Sequence, residues 1–428
     1  MHEQLARDWD VVVVGGGLAG LAAAATARAG GGRVLLLDPH PLGGRARCDG
    51  RDGFVLNRGP RALYLGGPGR TVLEDLGVDV TRGGPPPAHG ARIAGAGGLH
   101  RAPDGPGGLV RTSALTLREK VALGRALASV PRLDAAALVG TTVAAWLDQL
   151  RLRGTPRQVA EAYLRLATYV DAPERLDAGA AVANLQLALV AGVRYLDGGW
   201  QSLVDPLAER GGFEVAAVGA TSVAPDPDGA TVLVTTSQGV LRARSAVLAV
   251  GTPAAAAALL GGGGDDLTRL GPPVTAACLE LGLRRQPDHP FVIGIDEPTY
   301  VSAHAPAARL APPGCALVHV LRYHRVGAPT DADADRQLLW RAAAAAGIAP
   351  DDVVVDRFLA RMVVTGAVPD AATGGLAGRP RVVDERRPGI LLAGDWVGDR
   401  GLLADAALSS GQQAGRHAAD RSATMAVR

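Results

Sequence analysis

The sequence predicts an α/β protein built on a parallel sheet, into which a second sheet and a group of helices are inserted. Three observations predict this fold class. The chain opens on a run of valines, a glycine-rich turn and an alanine-rich helix over 10–29. A second apolar strand with a glycine-rich continuation lies near the other end, over 390–411. Between them, apolar residues recur every three or four positions over 112–195, and strand-like runs dominate 274–364.

Length, charge and cysteine content exclude several classes of protein. With 428 residues, more than one folding unit is expected. A net charge of +2, from 44 basic and 42 acidic residues, indicates no dominant attraction to nucleic acid or to an anionic membrane. The three cysteines lie far apart, which excludes a disulfide framework and argues against a structural zinc site. A polar N-terminus and no integral membrane span predict a cytoplasmic protein, with peripheral membrane contact left open.

The first element is a complete dinucleotide-binding unit. Four valines predict a strand buried on both faces, and Gly15, Gly17 and Gly20 follow it as GxGxxG. Gly15 would permit the tight turn, Gly17 would let a pyrophosphate approach the backbone, and Gly20 would let the helix pack close to the strand. A second strand ends at Asp38, whose carboxylate can accept hydrogen bonds from a ribose diol. The helix N-terminus offers its free N–H groups to the phosphates.

The next residues carry a resemblance to a family. Gly43-Gly44-Arg45 just past the second strand, the segment 54–60 and the block 198–203 resemble signatures of the flavoprotein superfamily of phytoene desaturases, protoporphyrinogen oxidases and amine oxidases. The resemblance implies a Rossmann-like FAD-binding domain of parallel sheet plus β-meander. It implies that Arg45 reaches the diphosphate and that 54–60 lies beside the isoalloxazine. Asn57 stands where this family usually has an acid.

The C-terminal block resembles the second FAD motif of the same family. The strand over 390–394 leads to Asp395, which is expected at a ribityl hydroxyl or near the diphosphate. The helix from about Leu403 would direct its positive end at the flavin pyrimidine, where reduction places negative charge. Because this block holds no cysteine, we expect non-covalent FAD. The predicted cofactor-binding residues are Gly15, Gly17, Leu18, Ala19, Gly20, Asp38, Pro39, Gly43, Gly44, Arg45, Gly59, Pro60, Arg61, Ala220, Gly394, Asp395, Leu403 and Ala404.

The domain prediction assigns 1–111, 196–265 and 385–428 to FAD binding, and 112–195 and 266–384 to substrate binding. Within the latter, a helix over 178–190 and a strand over 274–283 are predicted. Tyr195, His304 and Trp396 are the candidate catalytic residues. Other candidates for the pocket wall are Tyr300, Arg322 and Tyr323, and no cage of paired tyrosines is evident.

The resemblance implies hydride transfer from a small molecule to flavin N5. Lys120 is the sole lysine and lies outside the FAD blocks, which does not match the lysine near N5 of amine-oxidase-type enzymes. This favours the phytoene-desaturase-like branch and dehydrogenation or desaturation of an apolar substrate, from isoprenoid or natural-product tailoring chemistry. A flavin amine oxidase and a non-catalytic FAD-binding protein are the alternatives. Substrate, electron acceptor and oligomeric state are not predicted.

Overall fold

The structure is a computed structural model that describes residues 7–88, 90–95, 97–227 and 229–426. In chain order, the strands β1 to β19 are Trp9–Val14, Val34–Leu37, Asp49–Arg51, Phe54–Leu56, Leu63–Tyr64, Gly83–Gly84, Arg92–Gly95, Gly98–Arg101, Val193–Leu196, Glu214–Ala216, Ala220–Pro225, Val232–Thr236, Gly239–Leu248, Val274–Leu283, Phe291–Gly294, Thr299–Ala303, Ala316–Tyr323, Val353–Thr365 and Ile390–Leu392.

The α-helices surround two large sheets. In chain order, α1 to α12 are Leu18–Ala29, Pro68–Asp75, Pro106–Arg111, Leu117–Ser129, Val143–Gln149, Thr155–Thr168, Ala178–Val190, Gln201–Arg210, Pro253–Leu260, Asp265–Thr268, Ala332–Ala345 and Leu403–Ala426. Among the residues just given, no helix is long and apolar enough to cross a bilayer.

The first sheet has the strand order β10-β2-β1-β13-β12-β11, with β19 added on β13. β1 pairs in parallel with β2 and with β13, because its four valines can be buried from both sides. The long strand β13 turns back on β12 in an antiparallel meander and also pairs in parallel with β19. The first and last motifs of the sequence therefore meet in one sheet.

The second sheet has the order β18-β14-β17-β16-β15-β7-β8 and is mostly antiparallel. Every residue of its strand β14 is buried, since β17 and β18 flank it on both edges. Helices α4 to α7 share a hydrophobic core with one face, and α11 packs on the other. This layering of two sheets with helices confirms the predicted fold class.

Two strands of the segment 1–111, which the domain prediction places with FAD binding, pair with the second sheet. β7 pairs with β15, and β8 pairs with β7, so 92–101 belongs to the second sheet. The partner strand lies about 200 residues away in the chain, and a four-residue strand carries too little periodicity to be assigned from sequence.

Candidate active site

A cavity of about 1830 Å³ opens between the two sheets. Its first part lies at the carboxyl ends of β1 and β2, where an open parallel sheet binds ligands. Its second part is walled by the second sheet and by helices α3, α4, α6 and α7. A dinucleotide and a substrate can therefore share one continuous space.

The glycine motif forms the floor of the first part. Gly15 has a left-handed φ of +107°, and a Cβ at Gly20 would lie 1.8 Å from the Gly15 carbonyl oxygen. These two positions accept only glycine, because one makes the turn and the other lets α1 approach β1. A Cβ at Gly17 would meet no atom within 4 Å, so this residue opens onto free space. The first turn of α1 carries neither a side-chain cap nor an acid, which leaves its N–H groups to an anionic ligand.

Asp38 stands at the end of β2 on the cavity wall. Its Oδ2 accepts a hydrogen bond from the Gly16 N–H at 2.7 Å, and its Oδ1 accepts one from the His40 N–H at 2.8 Å. Each carboxylate oxygen has a further lone pair, so Asp38 can still accept from a ribose hydroxyl. The two backbone contacts fix the carboxylate in the orientation that this role requires.

An ion pair joins the two halves of the predicted cofactor site. Arg45 Nη1 donates to Asp395 Oδ2 at 2.7 Å and to the Val364 carbonyl at 3.1 Å. Asp395 Oδ1 accepts from the Gly366 N–H at 3.1 Å. Arg45 thereby balances the charge of the buried Asp395, because an unpaired buried carboxylate would be costly. Arg45 also lies on the cavity wall, and its contact with the diphosphate stays a prediction.

Arg61 provides a test of whether the site fits a flavin. Its guanidinium lies over the Trp200 ring at 5.7 Å and donates to the carbonyls of Arg45 and Arg58. Burial, and then the charge of Arg45, lower its pKa from the ordinary value. Its Nε is buried without a hydrogen-bond partner in the structure described. A polar donor left over on a cavity wall fits a ligand with acceptor atoms, as the flavin has.

Most of the predicted cofactor residues meet in this space. Those on the cavity wall are Gly15, Gly17, Leu18, Ala19, Asp38, Pro39, Gly43, Gly44, Arg45, Pro60, Arg61, Ala220, Gly394, Asp395, Leu403 and Ala404. Gly20 lies behind the wall against Gly15. Gly59 also lies behind it, where its N–H donates to Glu280 at 3.0 Å.

Most of the chain matches a known family profile. The profile described as flavin-containing amine oxidoreductase matches residues 18–419. The chain belongs to this family. It is therefore a FAD-dependent oxidoreductase, and the residues on the first part of the cavity wall are those that would hold its FAD.

Solved structures share the fold at low sequence identity. A putative protoporphyrinogen oxidase from Exiguobacterium sp. 255-15 is 17% identical with a TM-score of 0.72, covering 96% of this chain and 98% of that one. Cyclohexylamine oxidase from Brevibacterium oxydans is 19% identical with a TM-score of 0.70, covering 99% and 100%. A curated coproporphyrinogen III oxidase from Propionibacterium freudenreichii is 42% identical over 71 residues, which are 16% of this chain but only 13% of that protein.

Tyrosines dominate the polar groups on the second part of this oxidoreductase's cavity. Five tyrosines line it, of which the sequence analysis predicted Tyr195 and Tyr300 and no cage of paired tyrosines. The tyrosines on the wall are Tyr64, Tyr163, Tyr169, Tyr195 and Tyr300. Tyr323 packs edge-on against Tyr169 at 5.7 Å, behind the wall. Tyr163 lies in α6 and Tyr169 directly follows it, whereas the others come from β5, β9 and β16, so no local pattern in the sequence brings the five together.

Tyr195 lies on the wall, as predicted for a candidate catalytic residue. Its hydroxyl lies 3.1 Å from the Tyr300 hydroxyl and 2.6 Å from Ser302 Oγ. Burial raises the pKa of Tyr300 well above its usual value. Tyr300 therefore stays protonated and cannot act as a base at neutral pH.

The other two catalytic candidates do not reach the cavity, which corrects the prediction. His304 is fully buried and stacks on the Tyr195 ring at 3.6 Å, and burial together with His319 lowers its pKa well below 6.5. Trp396 is also fully buried, and its Nε1 donates to the Val250 carbonyl at 3.4 Å. His304 directly follows β16, and Trp396 follows β19 after three residues. These strands hold both side chains behind the cavity wall. Arg322 likewise pairs with Asp335 away from the cavity.

Asp405 is a wall residue that the sequence analysis did not identify. It lies in the first turn of α12, and its Oδ1 accepts from the Gly69 N–H at 2.9 Å. Its Oδ2 is buried with no partner in the part of the chain that the structure describes. Burial raises its pKa to about 7, since the single N–H contact does not compensate for lost hydration.

Proposed function

We propose that this oxidoreductase dehydrogenates or desaturates an apolar small molecule, of the isoprenoid or natural-product tailoring kind. The observation that carries the proposal is the apolar wall of the second part of the cavity. The substrate would lose a hydride and a proton, forming a double bond, and the electron pair would pass to FAD. When bound, FAD supplies the two-electron acceptor for this step.

The wall of the second part consists mainly of aliphatic and aromatic carbon. Its apolar side chains include Leu109, Leu127, Leu166, Leu185, Phe291, Ile293, Leu359 and Met362. Such a surface binds an apolar substrate by removing it from water and holds water away from the reacting carbon. We propose that 112–195 and 266–384, together with β7 and β8, form this substrate-binding part.

Polar contacts on this wall would orient the substrate rather than take its proton. The Tyr195 hydroxyl lies within hydrogen-bond distance of Tyr300 and of Ser302, so the three hydroxyls restrain one another. A fixed donor suits a carbonyl or ether oxygen of the substrate. Because these hydroxyls stay protonated, the proton that leaves the substrate would pass to water at the mouth of the cavity.

The position of the only lysine supports this branch over amine oxidation. Lys120 lies in α4, is not on the cavity wall, and donates from Nζ to the Val110 carbonyl at 2.8 Å. It cannot serve as the positive group that assists oxygen near flavin N5. We propose an acceptor other than oxygen, and a cytoplasmic location.

Amine oxidation remains the alternative with a specific observation in its favour. The family profile bears that name, and similar folds include cyclohexylamine oxidase and putrescine oxidase. Tyr169 and Tyr300 lie on the wall, and aromatic rings attract substituted ammonium groups.

A similar fold also belongs to a putative protoporphyrinogen oxidase, whose name favours a large apolar substrate.

Anaerobic bleaching of the bound flavin separates these functions. The purified holoprotein is mixed without oxygen with three sets of compounds: isoprenoid polyenes and their saturated precursors, porphyrinogens, and primary and secondary amines. Loss of flavin absorbance with a saturated isoprenoid or a porphyrinogen supports the proposal. Loss with amines alone replaces it with amine oxidation. A flavin that dithionite reduces but no compound bleaches favours the FAD-binding protein without catalysis.

A further inference from the structure

Glu280 is a buried carboxylate in the middle of β14, and its side chain has no exposed surface. Its register partners are His319 on β17 and Arg357 on β18, so three polar side chains form a row across the second sheet. Two residues further along the same face of β14, a Cβ at Gly282 would lie 2.9 Å from the ring of Phe54 on β4. The row therefore lies beneath the hairpin that β3 and β4 form.

The Glu280 carboxylate accepts a hydrogen bond from the backbone of the FAD-binding part. Its Oε1 accepts from the Gly59 N–H at 3.0 Å and lies 3.2 Å from His319 Nε2. Its Oε2 accepts from Arg357 Nε at 2.5 Å. Burial alone would raise the pKa of Glu280, but the contacts with His319, Arg357 and Gly59 lower it below the ordinary value. Glu280 is therefore ionised, and its bond to the Gly59 N–H is a charge-assisted one.

Arg58 and Gly59 form a turn that needs such support. Both have a left-handed φ, of +54° and +96°, and a residue other than glycine keeps this conformation only where its surroundings hold it. Arg58 Nε donates to Asp49 Oδ2 at 3.0 Å, and Arg357 Nη1 donates to the same oxygen at 2.5 Å. Because Arg357 also contacts Glu280, the two carboxylates hold the turn from its side chain and from its backbone.

The turn determines where the next two residues lie. Pro60 and Arg61 follow it directly, and both lie on the cavity wall. Arg61 Nη2 donates to the Arg58 carbonyl at 3.1 Å, so the position of this guanidinium depends on the turn. Burial and then the charge of Arg45 lower the pKa of Arg61, whereas the negative charge of Glu280 raises it. Glu280 therefore acts on Arg61 both through the backbone and through its charge.

We propose that Glu280 is a positioning residue of the FAD site, which holds the Arg58-Gly59 turn so that Arg61 stays on the wall that would hold FAD and which balances the charge of Arg61. Stability alone does not explain a charge at this place, because apolar residues that replace a buried ion pair are often at least as stabilising. An apolar side chain at 280 would fill the space but would leave the Gly59 N–H without an acceptor. The role rests on FAD binding and is independent of the substrate.

The reduction potential of the bound FAD and its release on dilution test the proposal without a substrate. Glu280→Gln keeps an oxygen for the Gly59 N–H but has no charge. We expect its flavin potential to shift to a more positive value, because Arg61 loses a neighbouring negative charge and reduction adds negative charge to the flavin. Glu280→Met removes the acceptor as well and should weaken FAD binding about tenfold or more, the loss expected for a hydrogen bond to a charged group. Spectroelectrochemical titration and flavin fluorescence measure the two effects.

Asp335→Asn is the matched control, because Asp335 is another buried carboxylate that contacts an arginine and a histidine. It accepts from Arg322 Nη1 at 2.6 Å and lies 2.7 Å from His324 Nε2, away from the cavity wall. This variant should lose stability in urea but keep the flavin potential and the FAD affinity of the parent protein. Glu280→Gln decides the test if Glu280→Met does not fold. An unchanged or more negative potential in Glu280→Gln would overturn the proposal, and so would an equal shift in Asp335→Asn.

Discussion

Gly17 and Asp38 are the two residues on the cavity wall at which we expect a single side chain to control FAD binding. A Cβ at Gly17 meets no protein atom, so Gly17→Val is compatible with the fold but fills the path of the diphosphate. Asp38→Ala removes hydrogen bonds to the ribose and should cost about 1.5–3 kcal/mol of binding. The ratio of flavin to protein absorbance measures both. Gly50→Val is the matched control, because a Cβ there is equally free of contacts. Full flavin content in both site variants would show that the motif has been misassigned.

The buried carboxyl group of Asp405 should make the free energy of unfolding depend on pH. Its pKa of about 7 in the folded protein exceeds the ordinary value of 3.8, so the folded state favours the protonated form. The free energy of unfolding is therefore highest in acid, and it falls by about 1.4 kcal/mol per pH unit as the pH rises from about 4 to 7. Asp405→Asn should therefore stabilise the protein more at pH 8 than at pH 5, as measured by urea unfolding. Asp399→Asn, on an exposed carboxylate nearby, controls for charge. An equal effect of Asp405→Asn at both pH values would contradict the prediction.

The residues that sequence reasoning identified or missed differ in a physical way. Gly15, Gly17 and Asp38 were predicted because their roles follow from local backbone geometry. Tyr64, Tyr163 and Tyr169 were missed, since only tertiary packing brings their hydroxyls to one wall. The same packing places His304 and Trp396 behind the wall, although each is next to a predicted strand end.

At the scale of elements, the contact of α12 with α1 joins the two FAD motifs. A Cβ at Gly411 would lie 2.2 Å from the Ala19 carbonyl oxygen, so α12 approaches the backbone of α1 directly. Gly411→Ala should destabilise the protein by about 1–3 kcal/mol, although alanine has the higher helix propensity. The midpoint of thermal unfolding measures this. Gly124→Ala in α4 is the control, because its Cβ would meet only the end of the Leu109 side chain. If Gly411→Ala is as stable as the parent protein, the close approach is not required.

Elements with strong periodicity could be predicted from the sequence, and short ones could not. The helix over 178–190 and the strand over 274–283 have the predicted bounds, since each has a continuous apolar pattern and clear ends. β7 and β8 were missed because their place in the second sheet depends on β15, far along the chain. The sequence motifs predict the parallel sheet with its meander. They do not predict which sheet each short edge strand joins.

The whole molecule predicts a slow reaction with oxygen. Lys120 is the sole lysine and is not on the cavity wall, so a positive group near flavin N5 would have to be an arginine or a histidine. His304 is a poor candidate, because burial lowers its pKa well below the ordinary value. Arginine cannot donate a proton at neutral pH, so it does not complete the reduction of oxygen. We expect slow reoxidation of the photoreduced protein in air-saturated buffer and faster reoxidation by a quinone, both followed by stopped flow. Reoxidation in air at the rate of an efficient oxidase would revive the amine-oxidase alternative.

The central claim is that the two ends of the chain enclose one non-covalently bound FAD, and its most direct measurement is the fate of the colour after acid precipitation. None of the three cysteines lies on the cavity wall, so no thiol is placed to form a covalent bond to the flavin. They are Cys48, Cys278 and Cys315. We predict a yellow protein with one FAD per chain, all of which passes into the supernatant when the protein is precipitated. A yellow pellet would contradict non-covalent binding, and a colourless protein that takes up no FAD would contradict the site itself.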